Sequence, residues 1–435
     1  MDHSLPDPSR RLALVLLSFA SFLLGAKTAP PVEAPDPRPY AKKAQAAFDE
    51  KDYAAFRENM EKAVELRPGH AGYQYYLAMA EALTGRKDQA LYWLSRVAGV
   101  GLAFPAAEES AFESIRDSEG FQGILRQFEA NKAPVHRSSI AFTVGEQRLI
   151  AEGLAYDPGK DRFLIGSVHR RKILSVARDG KIATFSVPED GLWGVFGMRV
   201  DPARRLLWVA SAALPEMEGY GPEDDGKTGV FKYDLKTGKL LARYLPAGRE
   251  RKHFFGDLTV DAKGSVFVTD SVSPILYTIG RRDDRLEPFV EGPFVSLQGV
   301  DVSADGKRVY VADYSRGIFA VDRASRGMTL LPAPERSILL GIDGIYIRGD
   351  RLIGVQNGTR QNRIVRLSLD EAALKVKSLE VLEANTPELA GPTLGVRVGG
   401  DFFYVSNSEW DAFDAATGRF AEDKLRQPVI LKVPF

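Results

Sequence analysis

The chain contains no cysteine. Disulfides, thiolate nucleophiles, cysteine-ligated zinc and lipoprotein acylation are therefore excluded. Nor is either sign of charge in excess, since 58 basic residues balance 58 acidic ones. That balance leaves no electrostatic ground for binding nucleic acid or an anionic membrane surface. Long apolar runs are scarce. The exception is residues 12–26, "LALVLLSFASFLLGA", which follow Arg10 and Arg11 and end on a small residue. A basic start, a short apolar core and a small residue fit an export signal. A membrane span would need about 20 apolar residues. Residues 1–28 thus read as a cleaved signal peptide or, alternatively, as an uncleaved N-terminal anchor. Either way the rest of the protein is expected outside the cytoplasm, periplasmic or secreted, meeting a membrane only through that segment.

What the chain does have is apolar content enough for a core, 44%, and many turn formers, 40 glycines and 25 prolines. Residues 29–39, "APPVEAPDPRP", hold five prolines. Such a stretch is expected to be neither helix nor central strand, and 29–37 reads as a stiff linker. Residues 40–66 then place Phe56, Met60, Ala63 and Val64 at helical spacing, up to a stop at Arg67-Pro68-Gly69. "KDYAAFRENMEKAVELRP" from Lys51 and "KDQALYWLSRVAGV" from Lys87 are alike at an offset of 36, near the tetratricopeptide period. "YYLAMAEALTGRKDQALYWL" resembles that repeat, and a last helix ends at Asn131. Residues 38–132 are expected to form a small tetratricopeptide-like helical domain. It reads as a cap or docking unit for a protein partner, the alternative being a shallow peptide groove.

After His136 the period changes from 3.6 to 2. Inner strands are expected at residues 154–156, 198–200, 258–260, 300–302, 345–347 and 396–398. Each is followed by a turn ("DPGKD", "DPARR", "DAKG", "SADGK", "RGD", "GGD") and an apolar strand. The second residues of these strands, Ala155, Arg199, Thr259, Asp301, Tyr346 and Arg397, recur at steps of 44, 60, 42, 45 and 51. Six multi-stranded repeats predict a six-bladed β-propeller over 138–435, with edges hidden by radial stacking. The long step holds an insertion at 211–229 in blade 2. "SSIAFTV" and "PVILKVPF" are expected to share the closing blade.

Two positions before each inner strand stands a second column: Glu152, Phe196, Gly256, Gln298, Asp343 and Leu394. In a propeller this column faces the channel mouth. Two carboxylates and an amide converging there suit a hard divalent cation such as calcium, which takes six to eight oxygens. His169 and His253 could assist chemistry, and Trp193, Phe196 and Phe254 could wall a pocket. Each is equally compatible with an ordinary turn or packing role.

The residues "EGLAYDPGKDRFLIGSVHRRKI", "QGVDVSADGKRVYVADY" and "IDGIYIRGDRLIGVQNG" resemble three blades of the senescence-marker-protein/gluconolactonase family. The resemblance covers about 138–435 and leaves the helical region out. It implies a metal held by Glu152, Gln298 and Asp343, calcium first among divalent ions. Asp343 is our candidate for the catalytic base as well as a ligand, and Asp257, Phe196, Trp193, His253 and Tyr314 are candidates for the substrate pocket. It departs from the family at two places. The fourth-blade amide is lengthened to Gln298, and an amide of the third blade is replaced by Gly256, followed by Asp257. Two functions stay open: an exported calcium-dependent hydrolase of a small ester or lactone, and a non-catalytic propeller with a helical adaptor that binds a protein or sugar.

Overall fold

A computed structural model describes residues 35–177, 180–248 and 251–435. The expected signal or anchor, and most of the linker, lie outside the described residues. Five helices come first: α1 (Arg38–Asp49), α2 (Tyr53–Leu66), α3 (Ala71–Leu83), α4 (Lys87–Gly99) and α5 (Glu119–Ala130). Two details differ from the sequence reading. The prolines do not keep residues 38–39 out of helix, because Pro39 falls in the first turn of α1, where a missing amide N–H loses no bond. Residues 40–66 are two helices. Lys51 takes a left-handed φ of 62°, and the Asp52 side chain accepts from Ala55 N to start α2. The helices close on a core that includes Phe56, Met60, Tyr75, Leu94, Phe112 and Phe121. Among the described residues no helix is long and apolar enough to cross a membrane.

The remainder is a six-bladed β-propeller. Blades 1 to 5 have their innermost strands at Ala151–Asp157, Gly194–Asp201, Phe255–Val260, Leu297–Val302 and Ile342–Arg348; that of blade 6 is Gly395–Val398. Blade 6 is completed by Asp401–Val405, Val429–Pro434 and, outermost, Ser139–Thr143. The closing blade thus joins the two ends of the propeller, as expected. Buried aspartates pin the turns: Asp313 accepts from Ser315 N and Arg316 N with one oxygen and from Val295 N with the other.

The inner strands share one irregularity. In blades 1 to 5 the pairing with the second strand slips early, between residues 151 and 154, 195 and 198, 255 and 257, 297 and 300, and 342 and 344. A β-bulge re-aims side chains that strict alternation would turn away. Glycines at this place let adjacent blades close up. A Cβ on Gly299 would lie 2.5 Å from Asp343 O and Ile345 N, and one on Gly153 would strike the Phe196 carbonyl.

The helical unit is packed onto the propeller. Ile338, from the loop leading into blade 5, is part of its core. Gln361 Oε1 accepts from Ala103 N at 2.6 Å, and Gln361 Nε2 donates to Asn131 O at 3.0 Å. Asn385 Nδ2 also donates to Asn131 O, at 2.9 Å, and Arg363 Nη1 donates to Val100 O at 3.1 Å. Val135–His136 adds a fifth strand to blade 5.

Candidate active site at the channel mouth

The bulges bring Glu152, Gln298 and Asp343, from blades 1, 4 and 5, to one cavity of about 390 Å³, which Tyr314 also lines. Asp343 Oδ2 accepts from Asn357 Nδ2 at 2.8 Å, and that amide also donates to Pro392 O at 2.9 Å. Asn357 Oδ1 in turn accepts from the Tyr314 hydroxyl at 3.0 Å. Asp343 is therefore fixed on one edge, with Oδ1 left for a ligand. Glu152 Oε2 accepts from the Trp410 indole Nε1 at 2.7 Å. Trp410 belongs to an insertion in blade 6, residues 406–428. Glu409 anchors that insertion by accepting from Arg148 N and Leu149 N at 3.0 and 2.9 Å.

The electrostatics follow from the lining. Among the described residues it holds Glu152, Asp343 and Asp411 and no lysine or arginine. Burial pushes Glu152 well above the usual carboxylate range, and the nearby Asp343 adds to the shift, against the Trp410 hydrogen bond. Burial raises Asp343 to about 6, opposed by the bond from Asn357. These carboxyls hold a proton unless a cation compensates them. Among the described residues no three histidine, aspartate or glutamate side chains are gathered closely enough to hold a metal ion. The available donor set is two carboxylates plus amide and hydroxyl oxygens, all hard, and it suits calcium or magnesium better than zinc.

The remaining expected pocket residues lie elsewhere. Phe196 packs edge-on against Phe254 at 4.8 Å in the core between blades 2 and 3. Trp193 packs against Phe231 at 5.9 Å, and its backbone N donates to Ser211 Oγ. His253 is buried with Nδ1 2.6 Å from Asp270 Oδ2, a pair that holds a blade-3 turn. His169 lies against Phe413 and Phe420 of the insertion, its Nδ1 2.7 Å from Glu216 O. None of the four lines the cavity. Asp257 does not line it either. It is buried in the channel below, Oδ2 accepting from Val300 N at 3.3 Å and Oδ1 without a partner. Burial raises it to about 6, opposed chiefly by Arg199. A Cβ at Gly256 would sit 3.2 Å from Ser271 Oγ and 3.5 Å, an ordinary contact, from Gln298 Oε1.

The sequence reading missed Asn357, Asn362, Ser408, Trp410 and Asp411, which line the cavity from loops. Asn357 was visible as the polar end of "RLIGVQN", whereas nothing local marks Trp410, one of four tryptophans.

No protein-family model and no curated protein matches the chain. Its structural neighbours are propellers at low identity. A gluconolactonase from Xanthomonas campestris is 14% identical with a TM-score of 0.46, covering 70% of this chain and 92% of that one. A regucalcin from Agrobacterium tumefaciens, titled a calcium-binding protein, is 14% identical with a TM-score of 0.48, covering 69% and 95%. A virginiamycin B lyase from Staphylococcus aureus is 16% identical with a TM-score of 0.42, covering 61% and 80%. The likeness is one of shape and assigns no chemistry to this chain.

Proposed function

We propose that the chain is an exported hydrolase of a small ester or lactone that works with a divalent cation, calcium by preference, held by Glu152, Gln298 and Asp343. One observation carries the reading: the buried Glu152 and the half-buried Asp343, from separate blades, line one cavity that has no cationic side chain among the described residues. Its export is inferred from residues 10–26 alone.

When bound, the cation would polarise the substrate carbonyl and offset the charge that develops on its oxygen. The protein's own groups do the rest. Asp343, held by Asn357, takes a proton from a water as that water adds to the carbonyl carbon. The C–O bond to the alkoxy group then breaks, and Asp343 returns the proton to the leaving oxygen. Burial raises Asp343 and a bound cation would lower it again, so the carboxylate form that a general base requires is the one present when the cation is held. Tyr314 and Asn357 orient Asp343, while Trp410 orients Glu152 and walls the mouth.

The non-catalytic reading, with a protein or sugar ligand, has one observation in its favour. The helical unit is tied to the loops that border the cavity through Gln361 and Asn385, where a partner could be presented.

The test is a screen of lactones and aryl esters with calcium and with chelator, on the wild type, Glu152→Gln and Asp343→Asn. Calcium-dependent turnover that falls at least about 100-fold in Asp343→Asn is expected. Turnover indifferent to chelator and to both substitutions refutes the metal mechanism, and no turnover on any substrate favours the binding reading.

A further inference from the structure

The propeller channel has a second chamber, of about 340 Å³, at its other end. Ala155, Arg199, Thr259, Asp301, Tyr346 and Arg397 all line it. They are the six residues that mark the repeat in the sequence, one from the inner strand of every blade, with valines beside them. Arg199 lies over the Tyr346 ring at 4.8 Å. Its Nη1 donates to Met198 O at a long 3.3 Å, the guanidinium also bonds to the Tyr346 side chain, and its buried Nη2 has no partner among the described residues. Arg397 stands at the rim. It donates to Ile347 O and lies 3.6 Å from Asp301 Oδ2.

Asp301 does not use up this positive charge. Its Oδ1 accepts from Thr259 Oγ1 at 3.0 Å and Val302 N at 2.9 Å, and its Oδ2 from Ile347 N at 2.8 Å. The two guanidiniums therefore face Asp301, already supplied with donors, and Asp257 in the channel beyond, whose charge also acts on Arg199. A buried guanidinium N–H without an acceptor is unfavourable, and the surrounding walls are apolar.

We infer that this basal chamber is a binding site for a small organic carboxylate, whose oxygens accept from the guanidiniums of Arg199 and Arg397 while its apolar part lies among the valines. Because Asp301 and Asp257 offset the guanidiniums, a monoanion is favoured over a phosphate dianion, and guanidinium donors match the planar carboxylate. The inference is independent of the cation reading at the mouth.

The test is calorimetry on the full chain in the presence of chelator, with benzoate, acetate and inorganic phosphate at neutral pH. Saturable binding of benzoate is expected, tighter than that of acetate. It should weaken about tenfold or more in Arg199→Met, less in Arg199→Lys, and severalfold in the rim variant Arg397→Gln. Should Arg199→Met not fold, Arg397→Gln carries the test, because Arg397 is exposed. Absence of binding by all three anions overturns the inference. So does benzoate binding unchanged in Arg397→Gln and in whichever Arg199 variant folds. Phosphate binding without benzoate binding overturns the carboxylate assignment.

Discussion

The two ends of the channel are built from the same six strands, three residues apart, and carry opposite chemistry. Toward the mouth the column is Glu152, Phe196, Gly256, Gln298, Asp343 and Leu394, of which Glu152, Gln298 and Asp343 line the cavity. At the base it is Ala155, Arg199, Thr259, Asp301, Tyr346 and Arg397. On a regular strand, side chains three apart point to opposite faces. In blades 1 to 5 the bulge restores the match. One backbone device therefore makes a strand serve two sites at once. Function at each end is set by which side chain follows the bulge and which precedes it.

The comparison breaks most severely at the bulge glycines. Gly299→Val should destabilise the propeller by about 3 kcal/mol or more, since even a Cβ there would lie 2.5 Å from Asp343 O and Ile345 N. Thermal unfolding should show a large drop in Tm. In any folded fraction, calcium binding at the mouth and benzoate binding at the base should fall together. Loss at one end alone would mean that the two columns are not tied through the bulge.

A smaller effect is expected between the ends, at Asp257. Its folded pKa, about 6, lies above the ordinary 3.8, so the folded state binds more protons than the unfolded one between those values. Stability from this group falls as pH rises through that window and stays reduced above it. Asp257→Asn keeps an acceptor for Val300 N and removes the buried charge. It should raise stability by on the order of 2 kcal/mol at pH 8 and by almost nothing at pH 4. Denaturant melts at the two pH values check this. An equal gain at both would place the effect in packing instead.

The smallest effect sharpens the acidic end alone. Trp410→Phe deletes the indole donor to Glu152, a hydrogen bond that opposes the upward shift of that carboxyl. Calcium affinity should fall severalfold, on the order of 1 kcal/mol for one charge-assisted bond, with benzoate affinity unchanged. Calorimetry with each ligand reads both.

The blades were legible because each inner strand, turn and second strand repeats, and that repetition is local. Glu152, Gln298 and Asp343 were legible as one column for the same reason. The bulge was not legible: bulge glycines and turn glycines look alike in a single sequence. Asp257, one step from Gly256, was expected in the substrate pocket, yet it lies buried below the cavity. Trp193 and His253 seemed near the site because they precede column residues. In fact one packs on Phe231, and the other satisfies Asp270. Trp410 and Asn357 come from loops whose positions depend on contacts far along the chain, which no periodicity reports. The basal column served only to count blades, because alanine, threonine and tyrosine within it hid the two arginines.

The closing blade sets the order of events during synthesis. Ser139–Thr143 is the first strand of blade 6 to emerge, yet its partner Val429–Pro434 follows all five other blades. The ring cannot latch until every blade has been made, so the propeller is a slow, non-local folder. The helices ahead of it rely on neighbours in sequence and can form at once. During that wait the outermost strand of blade 6 has an open edge, and Ile140 on it remains 60% exposed even in the finished ring. Truncation within the last strand would therefore release the first strand too, and an open ring with two unpaired edges is a natural seed for aggregation.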